Sequence, residues 1–342
     1  MNDLRFLRAC RREPVDRTPV WFMRQAGRYM EEYRKLREKH SLIEICKRPE
    51  LSSEVTLQPI RRFELDAAII FADILLPLEG MGVGFEFLHG EGPVIQRPVR
   101  TREDIGQIRV FDVEKELSYV LEALRLVREQ LDPGIALLGF AGAPFTVASY
   151  MIEGGYSRSF QNTKVLMYRY PDQWKELMER VSGVTLSYLK AQIQAGAQAV
   201  QLFDSWIGSL GPDDYCRYVL PYSKKIFAGL KDQSVPLIHF GTGTATLLEL
   251  MKEAGATVIG VDWRISLSEA WRRLGSEVAL QGNLDPVALL GPKALIQEKV
   301  SAILDQVAGR PGHIFNLGHG ILPETPVQNV DAVIRQVHEY SR

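Results

Sequence analysis

Cysteine is scarce in this chain. Cys10, Cys46 and Cys216 are the three thiols among 342 residues. Odd in number, far apart and outside any CxxC spacing, they argue against a disulfide framework and against cysteine-based metal sites. An excess of charge is missing too. Its 41 basic and 42 acidic residues leave a formal net charge of -1, so no global field draws in nucleic acid or an anionic membrane surface. An acidic ligand must be caught by residues placed locally. No stretch approaches the roughly 18 consecutive apolar residues of a membrane helix, and the opening "MNDLRFLRACRREP" lacks the apolar core of a signal peptide. These absences predict a soluble, cytoplasmic protein without nucleic-acid or membrane partners. No two histidines have the i, i+4 spacing of a helical zinc site and no serine stands in GxSxG, so the common hydrolase templates fail.

What is present is a repeated alternation. Hydrophobic residues make up 46% of the chain, enough for one large core. Apolar segments rich in β-branched and aromatic residues recur, each stopping at a polar residue or glycine: "TPVWFMR" (18–24), "AAIIFAD" (67–73), "IALLGFAGAP" (135–144), "AVQLFDS" (199–205), "PLIHFGT" (236–242), "TVIGVDW" (257–263), "VALQGN" (278–283) and "HIFNLGH" (313–319). Continuously apolar rather than alternating, they read as parallel strands buried on both faces. Helical patterns fill most gaps, the clearest being Trp174, Leu177, Met178, Val181, Val184 and Tyr188 behind Pro171 and Asp172. Strands and helices alternating in this way predict an α/β protein, a (β/α)8 TIM barrel with its active site at the C-terminal ends of the strands. No linker, low-complexity tract or repeat interrupts it, so residues 1–342 are expected to form one domain. Residues 76–99 depart from the pattern. "VGFEFLHGEGPVIQRPV" reads as a β-hairpin inserted after the second strand.

The barrel brings the strand ends to one mouth: Arg24 and Arg28, Asp73, the "GAP" turn with Tyr150 soon after, Asp204 and Ser205, His239, Asp262, Asn283 and His319. An arginine is a planar fork of donors that suits carboxylate or phosphate, so two around Gly27 suit a polyanion unless nearby acids such as Asp73 neutralise them. Asp73 interrupts the apolar run "IIFADILLP"; it is either a buried ion pair, a helix cap, or a group that stabilises a developing cation. "HFGTGTATL", with Asp262 about twenty residues on, imitates a dinucleotide fingerprint but lacks its third glycine, and a helix cap is the simpler reading. His319 stands between two glycines, which keep bulk away and let a ligand approach the backbone. No lysine ends a strand, which removes the usual Schiff-base route. An enzyme of this kind that breaks a carbon bond needs the electron sink in its substrate.

The motifs "PVWFMRQAGRYMEEYRKLRE", "FADILLPLEGMG", "GFAGAPFTVASYMIEGG", "QLFDSWIGSLGP", "GVDWR", "LQGNLDP" and "NLGHGILPETP", in series over nearly the whole chain, resemble uroporphyrinogen decarboxylases. The resemblance implies a homodimer with no metal or organic cofactor. The implied reaction converts the four acetate side chains of uroporphyrinogen III to methyl groups, giving coproporphyrinogen III. It also implies roles. Arg24, Gln25, Ala26, Gly27 and Arg28 form the substrate-binding "RQAGR" motif, one arginine being a candidate proton donor. Asp73 is catalytic and hydrogen-bonds the pyrrole N–H groups, while Tyr150, Ser205 and His319 complete the substrate contacts. Asp204 stands where some relatives carry glutamate.

Two other classes fit parts of the pattern. Zinc-dependent corrinoid methyltransferases of related fold need a His-x-Cys element and a later cysteine; here His239, Phe240 and Gly241 occupy the first place and His319 the second. A non-catalytic tetrapyrrole-binding protein needs the arginines but not Asp73.

Overall fold

The apolar segments become strands shorter than the segments themselves. The computed structural model describes residues 4–88 and 92–340. The strands are β1 (Ala67–Ile69), β2 (Phe85–Leu88), β3 (Gly92–Ile95), β4 (Ala136–Gly142), β5 (Ala199–Asp204), β6 (Leu237–Gly241), β7 (Val258–Gly260), β8 (Ala279–Gln281) and β9 (His313–Ile314). Seven of them form one parallel sheet in the order β1, β4, β5, β6, β7, β8, β9, each joined to the next by helical crossover chain. The remaining two, β2 and β3, make the expected antiparallel hairpin, with Phe85 opposite Ile95. Its turn, residues 89–91 of "HGEG", lies outside the described residues.

The segment around Val20 closes the circle. Val20 bridges Phe315 in parallel, and Phe315 donates its N–H to Pro19 at 2.9 Å. On the other side the Asp66 N–H reaches the Val20 carbonyl at 2.9 Å. The expected strand over 18–24 is therefore reduced to a bridge. The Val20 N–H that would continue the ladder is taken by the Asp66 carboxylate at 2.8 Å, and the chain turns after Met23. With this seam the sheet closes into a (β/α)8, or TIM, barrel.

Strand parity divides the core in two. Ala67, Ala136, Leu138, Ala199, Ile238 and Ala279 point into the barrel with Trp21, whereas Ala68, Leu137, Val200 and Leu280 meet the surrounding helices. A polar relay crosses the barrel: the Trp21 indole donates to Gln281 at 3.0 Å, which donates to Gln201 at 2.9 Å. The helix Arg5–Cys10 adds Phe6, Leu7, Ala9 and Cys10 to the interior cluster. Asp66 ties this end together, accepting from Arg5 Nη1 at 2.6 Å, lying 3.0 Å from His338 Nε2, and holding the Val20 N–H. The helix Pro171–Gln194 buries the predicted stripe from Trp174 to Tyr188. The helical pattern from "GPDDY" onward splits into Pro212–Tyr218 and Leu220–Leu230, since Pro221 has no N–H to continue the first helix.

Candidate active site

The strand ends and their loops surround a cavity of about 280 Å3. Arg24, Gln25, Ala26, Asp73, Tyr150, Ser205 and His319 all line it. Gly27 and Arg28 do not: Arg28 is exposed, further along the same loop. The loop is held at Gln25, which is buried. Its amide accepts the Phe22 N–H at 3.1 Å and donates to the Ala67 carbonyl at 3.1 Å, and its own carbonyl takes the Tyr29 hydroxyl at 2.7 Å. Arg24 adopts φ 60°, a left-handed conformation that a non-glycine residue keeps only where its surroundings enforce it. One such constraint is Gly320, where a Cβ would overlap Arg24 Cδ and Cγ. Arg24 and Arg28 form no ion pair with any described residue; Arg24 acts on Asp73 by its charge, without direct contact.

Asp73 lies in the loop after β1, its Oδ1 accepting the Leu75 N–H at 2.9 Å. This is the local bond of an Asx-turn, so part of the capping role is real. No described residue donates to Oδ2. Burial raises the Asp73 carboxyl above its ordinary range, against the opposing Leu75 N–H and the Arg24 charge. A carboxylate so placed is poorly solvated and gains most from a donor or cation brought by a ligand.

Tyr150, on the helix Pro144–Glu153, stacks on Trp206 with ring centroids 3.8 Å apart. Burial first, then the Asp73 charge, pushes its hydroxyl up to about 12, so it stays a neutral donor. His319 accepts the Gly320 N–H on Nδ1 at 2.6 Å. Burial, with Arg24 and Arg264 nearby, lowers its pKa to about 4. Both facts specify a neutral imidazole with its proton on Nε2, a fixed donor at neutral pH. The bracketing glycines serve close packing within the chain rather than ligand approach: a Cβ on Gly318 would sit 2.7 Å from Trp263 Cε3, and one on Gly320 would displace Arg24.

The glycine-rich "HFGTGTATL" is also used internally. A Cβ on Gly208 would strike the Thr242 carbonyl, and the Gly243 N–H is bound to Asp262 Oδ2 at 2.7 Å. The acid of the partial dinucleotide fingerprint is thus already engaged, with the Arg264 guanidinium as its further partner. Asn283, also expected at the mouth, instead donates to the Asp262 and Ile265 carbonyls at 2.9 and 2.6 Å. Asp204 and His239 are fully buried behind the wall, Asp204 accepting from Thr146 at 2.9 Å and lying 3.3 Å from His239 Nε2. Among the described residues no three His, Cys, Asp or Glu side chains gather into a possible metal site.

The family profile described as uroporphyrinogen decarboxylase (URO-D) matches residues 1–340. The chain belongs to the uroporphyrinogen decarboxylase family. A uroporphyrinogen decarboxylase of Sorangium cellulosum is 60% identical over 342 residues, covering 100% of this chain and 97% of that protein. One from Carboxydothermus hydrogenoformans is 56% identical over 341 residues, with 100% and 97% covered. Among solved structures, a methyltransferase from Methanosarcina mazei superposes with TM-score 0.80 at 21% identity over 99% of this chain and 98% of that one, a likeness of fold alone.

The cavity of this uroporphyrinogen decarboxylase family member has one component that the polar strand ends do not announce, an aromatic wall. Phe140, Phe203 and Phe240 line the cavity from successive strands. Their rings meet edge to face at 5.4 and 5.9 Å, and Phe240 continues to His319 at 6.2 Å. In sequence these residues look like any core phenylalanine; only their height in the barrel separates them, and that follows from the closure at Val20. Together the wall, Arg24 and Asp73 form a cavity with an apolar face, a cation outside any ion pair and a poorly solvated carboxylate.

Proposed function

We propose that the protein decarboxylates the four acetate side chains of uroporphyrinogen III, giving coproporphyrinogen III and four molecules of CO2. The observation that carries this reading is the pairing in one cavity of Arg24, free of any ion pair, with Asp73, desolvated and open to a donor at Oδ2. A polycarboxylate pyrrole offers what each lacks, carboxylates to the guanidinium and N–H groups to the carboxylate.

A proton adds to the pyrrole α-carbon next to the ring carbon that carries the acetate arm, making an iminium-like cation conjugated with that carbon. The bond to the carboxylate then breaks, its electron pair flows into the ring and CO2 leaves. Protonation of the exocyclic carbon and loss of the first proton restore the pyrrole. The sum is one carboxylate and one proton consumed for one methyl and one CO2. Asp73 stabilises the cation more than the neutral ring, and its poor solvation enlarges that difference. Tyr150, Ser205 and the His319 Nε2–H supply neutral donors to the arms, and Arg24, with Arg28 further out, anchors carboxylates. Gln25, Ala26 and Gly27 shape the loop that holds Arg24. An arginine stays protonated far above neutral pH and is a poor proton donor, so the role assigned to Arg24 is to anchor carboxylates. The pyrrole is its own electron sink, and no metal or cofactor is required.

The whole chain acts as one catalytic domain, in the cytoplasm and as a homodimer. The exposed Tyr156 and Val165, close in sequence to the Tyr150 helix, support an apolar contact between copies on this side. Among the described residues no helix is long and apolar enough to cross a membrane.

The test is anaerobic incubation in the dark with uroporphyrinogen III, with no metal or cofactor added, then oxidation and separation of the porphyrins by carboxyl number. A ladder from eight carboxylates to four is expected. Unchanged substrate that nevertheless binds would reduce the protein to a tetrapyrrole carrier.

A further inference from the structure

At the rim of the cavity, outside the residues that line it, stands a cation, Arg264, that closes the "GVDWR" motif and to which no role has been given. Arg264 follows β7 by four residues. Its backbone N–H donates to Asp262 Oδ1 at 3.0 Å and its Nη1 is hydrogen-bonded to Asp262 Oδ2. Its guanidinium lies over the Trp263 ring, 4.3 Å from the centroid. Trp263 packs in turn against the backbone of Gly318, where a Cβ would come within 2.7 Å of the indole. The arginine is therefore fixed at one end by a buried acid and along its plane by an aromatic face, next to the loop that carries His319.

This is an arrangement for binding rather than for stability. The side chain is half exposed, at 50%, where an ion pair contributes little. Its other guanidinium nitrogens have no partner among the described residues. The fork has lost its rotamer freedom before any ligand arrives, which lowers the entropic cost of each new hydrogen bond. Arg264 also lies close enough to His319 for its charge to act there, as does Arg24. The charges of two guanidiniums, Arg24 on the cavity wall and Arg264 outside it, thus reach the same imidazole.

We propose that Arg264, stacked on Trp263 and oriented by Asp262, is a further carboxylate anchor that holds a peripheral arm of the tetrapyrrole outside the cavity. This rests on the decarboxylase reading. A cavity of about 280 Å3 is at the small end of ligand pockets, roughly 300 Å3, so a macrocycle with eight carboxylates extends to its rim. Some arms must lie at the rim, where Arg264 presents free donors in a fixed plane. Asp262 cancels its net charge, so the contribution is directional hydrogen bonding rather than long-range attraction.

Arg264→Met keeps the stem on Trp263 and removes the fork; Arg264→Lys keeps the charge without the fork. With uroporphyrinogen III as substrate, Arg264→Met is expected to raise KM about tenfold with kcat within twofold of wild type, and Arg264→Lys to recover only part of the loss. An unchanged KM, or a fall in kcat at unchanged KM, would overturn the anchor. Quenching of uroporphyrin fluorescence separates the two hypotheses. If the wild-type protein makes no decarboxylated product, a tenfold weaker affinity in Arg264→Met still supports the anchor and dismisses only the reaction. Equal affinities would dismiss the anchor whatever the reaction proves to be.

Discussion

At the scale of single residues, the site contrasts charges that are satisfied with charges that are not. Asp262 and Asp66 each accept several donors from the chain itself. Asp73 accepts one and is left for a ligand. Asp73→Asn keeps the shape and the Leu75 bond but removes the negative charge, so substrate affinity should stay within a few-fold. Turnover should fall by about 10³, the scale of losing one group aimed at transition-state charge; stopped-time product analysis beside equilibrium binding would measure both, and near-normal turnover would remove its catalytic role. His319 carries a pH prediction. Its pKa of about 4 keeps Nε2–H a donor across the neutral range, so the pH profile of kcat/KM should show no histidine inflection between about pH 5 and 8. An inflection near 6.5 that disappears in His319→Gln would contradict the assigned tautomer. Arg24, Asp73 and His319 were legible in the sequence because each interrupts or ends an apolar run, where an ionisable side chain needs a reason. Phe140, Phe203 and Arg264 were not. The phenylalanines share their pattern with the core, and Arg264 looks like a surface charge until Trp263 and Asp262 are seen around it.

At the scale of elements, the strands after the first could be read directly, since parallel strands covered on both faces leave continuous apolar segments. Their lengths could not, because loops at the mouth borrow the same apolar residues to line a cavity: "IIFAD" ends as strand at Ile69 and continues as cavity wall to Asp73. The first strand was misjudged in extent, as its ladder bond goes to the side chain of Asp66, a residue the apolar pattern does not mark. Asp66 accordingly holds three elements, the Arg5–Cys10 helix, the Val20 segment and the C-terminal helix Val327–Tyr340. Asp66→Ala leaves buried donors without an acceptor and should lower stability by about 3 kcal/mol in urea unfolding. A loss below about 0.5 kcal/mol would show the seam to be held by packing alone. Packing against Arg24 also gives Gly320 a testable role. Gly320→Ala forces the Arg24 stem aside and should raise KM several-fold while the thermal midpoint moves little; unchanged kinetics would mean that Arg24 has other room.

At the scale of the whole molecule, near-zero net charge means that recognition of a polyanion falls to a few arginines and not to a general field. Acid stability depends on buried neutral imidazoles. His313, pushed down to about 4 by burial, is neutral in both states above its unfolded pKa near 6.5. As pH falls below that, the unfolded chain takes up the proton first and stability drops, the loss being complete near pH 4. Its size is on the order of 3 kcal/mol. Thermal midpoints between pH 7 and 4 should fall accordingly, with the His313 ring signals unchanged by NMR down to about pH 5; titration near 6.5 would contradict its burial. The seam at Val20 has a last consequence, in the order of synthesis. Arg24 leaves the ribosome long before His319, yet the two become neighbours only when Phe315 pairs with Val20. Until then a nascent chain carries its Arg24 loop without the Gly320 surface that shapes it. Assembly of the cavity is therefore withheld until β9 has emerged, and a product truncated before β9 should be silent rather than partly active.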